Sequence, residues 1–256
     1  LLNTMGIPYT VIDSKMHEDE ILNKVGEQLR LSKLKNQPVC ILVRKGTFNA
    51  YKKKSNSSKH LQYKLEREKA VQIAVDQCED NSIIVCTTGM LSRELFEFRA
   101  KKKLGHGRDF LCVGGMGHAS QIATSIAINQ PKRPVYCFDG DGAFLMHMGS
   151  MAITGTRDLP NFIHIVFNNG CHESVGGQPT VAQKIELSKV AFSLGYKFSK
   201  TVNCELKFID IIQQAKEFDS TSFIEVLVRP GHRLNIGRPT TTPIQNKNDL
   251  MNTLKV

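Results

Sequence analysis

From residue 64 onward, short apolar runs alternate with longer stretches whose apolar positions recur every three or four residues. Ser82–Cys86, Phe110–Val113, Pro134–Phe138, Phe162–Phe167, Tyr196–Ser199 and Ser222–Val228 have the length and the aromatic and β-branched content of strands. Between them, Leu65–Cys78, Ser92–Lys103, Ala119–Ile128, Ala143–Thr154, Gln183–Phe192 and Glu205–Glu217 read as helices. In Ala143–Thr154, for example, Leu145, Met148, Met151 and Ala152 fall on one face. Strand and helix alternate throughout, which predicts an α/β fold: a parallel sheet flanked by helices. Near the N-terminus, Leu1–Gly6 reads as the tail of a helix, Tyr9–Ile12 as a strand, Asp19–Leu34 as an amphipathic helix and Pro38–Val43 as a buried strand. One helix and two strands cannot bury a core of their own, so residues 1–48 read as the end of a second α/β domain. Residues 49–63 are polar, rich in lysine and serine and without periodicity, as in a linker. Residues 64–240 form the main domain and 241–256 a C-terminal tail. The three prolines of Arg229–Val256 predict a surface course for the chain's end.

The central unit carries the clearest chemistry. The apolar run ending at Phe138 leads into Asp139-Gly140-Asp141-Gly142, expected as a tight turn. The run ending at Phe167 leads into Asn168-Asn169-Gly170. With one helix between them these segments make a βαβ unit, with parallel strands and a right-handed crossover. Both turns then lie at the carboxyl edge of the sheet, where such folds bind ligands. One carboxylate, two side-chain amides and free backbone carbonyls are hard oxygen donors suited to Mg2+. The start of a helix offers N–H groups that suit phosphate. A divalent ion gripping a diphosphate satisfies both. Taken singly, Asp141 could simply cap a helix and the asparagines simply turn the chain; their pairing across one βαβ unit favours the site.

Composition narrows the rest. The hydrophobic fraction of 41% supports a real core. No run approaches a membrane helix in length, and Leu1–Ile12 lacks the basic and apolar regions of a signal peptide. Seven scattered cysteines without a CxxC fit reduced thiols in the cytoplasm, not a disulfide framework or a zinc site. The formal charge of +10 raises the question of nucleic acid. Its lysines, however, fall in short runs, Lys52–Lys54 and Lys101–Lys103, without interleaved aromatics, as on solvated loops. An anionic cofactor and substrate give the positive potential another use.

GDG followed by NN after somewhat under thirty residues is the signature of the thiamine diphosphate (TPP) enzymes. Five stretches carry the resemblance further: Thr87-Thr-Gly-Met-Leu-Ser-Arg-Glu-Leu95, Val113-Gly-Gly-Met-Gly-His-Ala-Ser120, Asp139-Gly-Asp-Gly-Ala143, Met146-His-Met148 and Ser174-Val-Gly-Gly-Gln-Pro-Thr180. Across most of residues 1–240 the chain resembles the phosphonopyruvate decarboxylase family, with the sulfopyruvate decarboxylases as near relatives. The resemblance implies TPP and Mg2+ as cofactors, residues 64–240 as the TPP-binding domain and residues 1–48 as the end of a pyrimidine-binding domain. Its expected metal ligands are Asp141, Asn169 and the backbone carbonyl of Cys171, with Asn168 holding the turn. The N–H groups of Gly142 and Ala143, after Gly140, face the diphosphate, and Thr88 and Gly89 touch the cofactor. Gly114 accepts the cofactor's amino group by its carbonyl, and Met116 presses between the cofactor rings, a task that suits an adaptable apolar side chain.

His118, His147 and His172 are candidates for proton transfer or for the substrate's anionic end. His172 and His118 are taken as catalytic; His147 can equally pack. A phosphonate dianion needs forked or multiple cations, for which Arg93, Arg233 and Arg238 are the candidates. Ser174–Thr180 is expected to loop over the cofactor, with Gly176 and Gly177 as its flexible points. The implied reaction converts 3-phosphonopyruvate to phosphonoacetaldehyde and CO2. The resemblance also places a required glutamate in the pyrimidine-binding domain, upstream of Leu1. The chain therefore reads as a fragment, expected to bind cofactor weakly and to lack turnover unless another subunit of a homo-oligomer, or a partner subunit, supplies that domain. Sulfopyruvate decarboxylation and acetohydroxyacid synthesis are rival reactions on the same cofactor, and a non-catalytic cofactor-binding module is a rival of another class. A dinucleotide site is disfavoured, because Gly114-Gly-Met-Gly117 lacks the GxGxxG spacing.

Overall fold

The computed structural model describes residues 1–49 and 63–255. The chain divides into two compact units, Leu1–Asn56 and Ser57–Val256. Most of the expected linker, residues 49–63, lies outside the described residues.

In the first unit, β1 (Tyr9–Ile12) and β2 (Cys40–Val43) pair in parallel, with α1 (Glu18–Lys35) as the crossover. Glu18, Asp19 and Glu20 open α1 and Lys33 and Lys35 close it, each charge complementing the helix dipole. Asn36 ends the helix in the left-handed region, at φ 46°. The segment 38–43 is not the buried strand expected. Leu42 and Val43 are 41% and 49% exposed, because two strands and one helix leave a sheet face uncovered. α1 likewise has no buried residue.

The second unit contains α2 (Arg67–Asp76), β3 (Ile83–Thr87), α3 (Met90–Lys101), β4 (Asp109–Cys112), α4 (Ala119–Asn129), β5 (Val135–Gly140), α5 (Asp141–Met146), α6 (Met151–Gly155) and β6 (Phe162–Asn168). It continues through β7 (Cys171–His172), β8 (Gln178–Pro179), α7 (Leu187–Ser193), β9 (Phe198–Val202), α8 (Glu205–Glu217), β10 (Ser222–Leu227) and α9 (Pro243–Leu254). Six strands form one parallel sheet in the order β4-β3-β5-β6-β10-β9. Alternate residues feed two cores. Ile84, Cys86, Tyr136, Phe138, Ile163 and Ile165 pack with α2, α3 and α8, while Ile83, Val85, Val135, Cys137, Phe162 and Val166 pack with α4, α5, α6 and α7. Burying each of the valine, isoleucine and phenylalanine side chains among them contributes on the order of 1.5–3 kcal/mol, and strands covered on both faces read as continuous apolar runs.

From β3 the chain passes to β4 on one side and then to β5 on the other. The carboxyl ends of β3 and β5 thus flank the topological switch point, where open α/β sheets form a crevice.

Four expectations change. No free turn separates strand from helix at Asp139–Gly142: β5 runs through Gly140, and Asp141 already opens α5. The helix expected over 143–154 is broken at His147, with a 3-10 turn at Met148–Ser150 between α5 and α6. The helix expected over 183–192 begins as a 3-10 turn, Ala182–Lys184, and only then continues as α7. The last strand but one is shifted to Phe198–Val202, and Tyr196 is instead a fully buried core residue.

The chain's end is also not a surface segment throughout. Thr242 caps α9 with a full capping box to Gln245, and Pro243 stands at the helix start. Leu250 is buried. Asn246 donates from Nδ2 to the Asp109 carbonyl at 2.7 Å and accepts the Leu111 N–H at 2.8 Å, so one amide side chain pairs with the outer edge of β4.

Candidate active site

A cleft of about 280 Å³ opens at the carboxyl ends of β3, β5 and β6, at the small end of the range for ligand pockets. The register explains the convergence. Cys86 pairs with Phe138 and Gly140 with Phe167, so the residues that follow each strand emerge side by side. β3 supplies Thr88 and Gly89, β5 and α5 supply Gly140–Ala143, and the loop after β6 supplies Asn169, Cys171 and His172. Met116 reaches in from the loop after β4. Gly89 caps α3 at φ 97°, where a side chain would be strained.

Asp141 is 2% exposed. Burial pushes its carboxyl up from the ordinary range, while the Thr180 hydroxyl, which donates to Oδ2, and backbone N–H groups pull against that shift. Asn168 is occupied as a turn residue, as expected: Nδ2 donates to Glu225 at 2.7 Å and Oδ1 accepts the Gly170 N–H at 3.0 Å. Asn169 is oriented differently, with Oδ1 accepting the Cys171 N–H at 3.1 Å and Nδ2 donating to Glu173 at 3.3 Å. Gly142 is tightly roofed. A Cβ placed there would fall 2.5 Å from His172 Cε1 and 3.1 Å from Met116 Cε.

The expected loop 174–180 is a small hairpin in which β7 pairs antiparallel with β8. Gly176 and Gly177 both sit at positive φ, and Ser174 and Val175 line the cleft.

Other expected residues lie elsewhere. His118 is exposed and does not line the cleft; its ring lies 4.5 Å from that of His147, with the planes tilted by 33°. Gly114 is also exposed and outside the lining. Arg93 and the exposed Arg238 are absent from the lining too. Arg233 is engaged by Glu68, at 2.9 Å, and by Glu97. Those contacts consume the side chain expected to meet an anionic substrate.

Three residues at or behind the cleft were not singled out by the sequence reading. Arg67, on α2, makes a forked pair with Glu94, both contacts 2.8 Å, and also binds Glu173. Burial alone would pull the guanidinium down, but Glu94 and Glu173 outweigh it and hold Arg67 protonated. Glu173 is held below the usual carboxylate range: burial opposes this, and the charge and hydrogen bond of Arg67, with His232 and the Gly231 N–H, prevail. Its position four residues after Asn169 was the one available signal. Nothing local links Arg67 to Glu94 or to Glu173.

One residue before Gly140, fully buried Asp139 faces His164 Nε2 at 3.4 Å, and His164 Nδ1 lies 3.2 Å from the Tyr196 hydroxyl. Cys137 joins Asp139 and His164 in a sealed cluster, separate from the cleft lining.

The cleft's donors are a buried carboxylate, an amide oxygen and backbone carbonyls, the oxygen set that Mg2+ prefers over sulfur or nitrogen. With the glycine-lined start of α5 beside them, these residues fit a metal–diphosphate group.

Residues 87–226, more than half of the chain, match the family profile described as "Thiamine pyrophosphate enzyme, C-terminal TPP binding domain". The phosphonopyruvate decarboxylase of Streptomyces viridochromogenes is 34% identical over 165 residues, covering 64% of this chain and 40% of that protein. The sulfopyruvate decarboxylase subunit beta of Methanothermobacter thermautotrophicus is 33% identical over 168 residues, covering 66% of this chain and 84% of that subunit. The chain therefore spans about two fifths of the length of the phosphonopyruvate decarboxylases it matches. Among solved structures, benzoylformate decarboxylase from Polynucleobacter necessarius aligns with a TM-score of 0.55 at 15% identity, over 77% of this chain and 37% of that one, a likeness of fold.

Proposed function

Because the chain belongs to the thiamine pyrophosphate enzymes, through their C-terminal TPP-binding domain, we propose that it holds thiamine diphosphate and Mg2+ in the cleft and serves the decarboxylation of a 2-oxo acid with an anionic end. The favoured substrate is 3-phosphonopyruvate, giving phosphonoacetaldehyde and CO2. One observation carries this reading: Asp141, Asn169, Cys171, Met116 and the first turn of α5 all border one cleft.

Asp141, the Asn169 amide oxygen and the Cys171 carbonyl would hold the metal. The N–H groups of Gly142 and Ala143 would take the diphosphate, and Thr88 and Gly89 would line its far side. Met116 would fix the bent shape of the cofactor. When bound, the cofactor supplies the nucleophilic carbon and the electron sink that decarboxylation requires. His172, which lies over Gly142, would hand a proton to the reacting end or anchor the substrate. The glutamate that activates the cofactor's aminopyrimidine ring would come with a pyrimidine-binding part, on a second subunit or a further stretch of chain.

A sulfonate substrate is the second reading, favoured by the match over 84% of a sulfopyruvate decarboxylase subunit beta. Calorimetry of TPP binding with and without Mg2+ tests the site, and a folded protein that binds TPP equally in both conditions overturns it. Aldehyde release from phosphonopyruvate and sulfopyruvate, with the complementary part present and absent, then decides the substrate and tests the need for that part.

A further inference from the structure

A side-chain amide has two nearly isosteric ends, and only its oxygen can bind a cation. A residue like Asn169 can therefore serve as a ligand only if something decides which end faces the metal. We propose that Glu173 is the positioning residue that makes this choice, locking the Asn169 amide with its oxygen available to a divalent cation. The inference rests on the functional reading above and deepens it.

The lock has two halves. Glu173 Oε2 accepts from Asn169 Nδ2 at 3.3 Å, and the Cys171 N–H donates to Asn169 Oδ1 at 3.1 Å. Rotating the amide by half a turn would set oxygen against carboxylate and N–H against N–H, so both contacts would turn repulsive. In the observed orientation Oδ1 keeps a second lone pair for a ligand. A carboxylate is the right group for the task, because it accepts only and so cannot tolerate the flipped state.

Glu173 is itself held from several directions. The buried Arg67 guanidinium donates to Oε2, and Arg67 is in turn fixed by its fork to Glu94. The Gly231 N–H donates to Oε1, and His232 Nδ1 lies 3.4 Å from that oxygen. The orientation of one amide in the loop after β6 is thereby set by α2, α3 and the segment after β10. Supporting contacts of this kind typically govern metal affinity by about 10- to 100-fold.

The test is a double-variant cycle read by calorimetric affinity for the Mg2+ complex of thiamine diphosphate, using the intact protein. Glu173→Ala should weaken binding by about 10- to 100-fold. Asn169→Asp makes the two ends of the ligand side chain equivalent, so there is no orientation left to choose. In that background the same Glu173→Ala should cost little, or restore affinity by removing a facing carboxylate. A merely structural role would impose equal costs in both backgrounds, and that result overturns the proposal. Should Glu173→Ala not fold, Glu173→Gln keeps the volume and replaces it in the cycle. If the parent protein shows no Mg2+-dependent binding, or Asn169→Ala does not weaken it, the functional reading falls and this proposal falls with it.

Discussion

Replacing Gly142 by alanine adds one methyl group where His172 and Met116 close over the cleft wall. The helical backbone there accepts a side chain, and the added Cβ would lie 2.5 Å from His172 Cε1 and 2.7 Å from Nδ1. The ring must retreat by roughly 0.9 Å to reach ordinary contact at 3.4 Å. Met116 Cε, 3.1 Å away, must give by a few tenths of an ångström. Both obstacles are side chains, so the fold absorbs them. Forcing a side chain off its rotamer costs about 0.5–1.5 kcal/mol, and alanine in place of helical glycine returns up to about 1 kcal/mol. Stability should therefore change by less than about 1 kcal/mol in urea denaturation. Function should not be spared. A misplacement of about 1 Å near reacting groups costs on the order of 100-fold in rate, close to 2.7 kcal/mol of transition-state stabilisation. We expect that loss in the decarboxylase assay of the complemented protein, together with weaker Mg2+–TPP binding. Unchanged turnover in a folded Gly142→Ala protein would refute the placement of His172 and the cofactor across this residue.

Gly155→Ala is the contrasting case. Its Cβ would meet the Leu194 carbonyl oxygen at 2.4 Å and the Tyr196 backbone nitrogen at 2.9 Å. Backbone cannot step aside, so stability should fall by about 1–3 kcal/mol, measured by the same urea denaturation. Arg67→Met removes the partner of buried Glu94 and should cost about 3–5 kcal/mol, whereas Arg67→Lys, with one donor point in place of a fork, should recover only part of the loss. Glu79 provides a pH signal. Burial acts to raise its carboxyl, but a backbone N–H, Tyr136, Ser82 and Lys216 outweigh that and hold it below its ordinary 4.5. Its folded value is the lower one, so its contribution is present above pH 4.5 and is lost as pH falls through the folded value. Glu79→Gln should flatten the acid limb of the stability profile; an unchanged limb would show that other carboxylates set it.

The central unit was legible because each of its parts is locally encoded. Pro134–Phe138 and Phe162–Phe167 are apolar at every position but His164, as suits strands covered on both faces, and GDG and NN mark where they end. The break at His147 was not legible, because Leu145, Met148 and Met151 keep a helical spacing across it. Helix α9 was misread from its prolines, although Thr242, Pro243 and Gln245 together spell a helix start. In the Arg67–Glu94–Glu173 network only Glu173, four residues after Asn169, carried a local signal, since its members lie on different elements and meet only when the sheet is assembled. The same holds for His118 and His172. Both stand beside glycine-rich turns, yet His172 follows β6 and lines the cleft while His118 stands exposed at the start of α4, a difference that only the assembled sheet makes.

Strand β4 is the outermost strand of the sheet, and Asn246 occupies part of its outward hydrogen-bonding row. An unguarded strand of this kind is a template on which a second chain can add by backbone pairing. Helix α9 thus acts as a guard against self-association as well as a support for the core. A chain clipped before Pro243 would keep every residue that lines the cleft and still expose a sticky flank, failing first by aggregation.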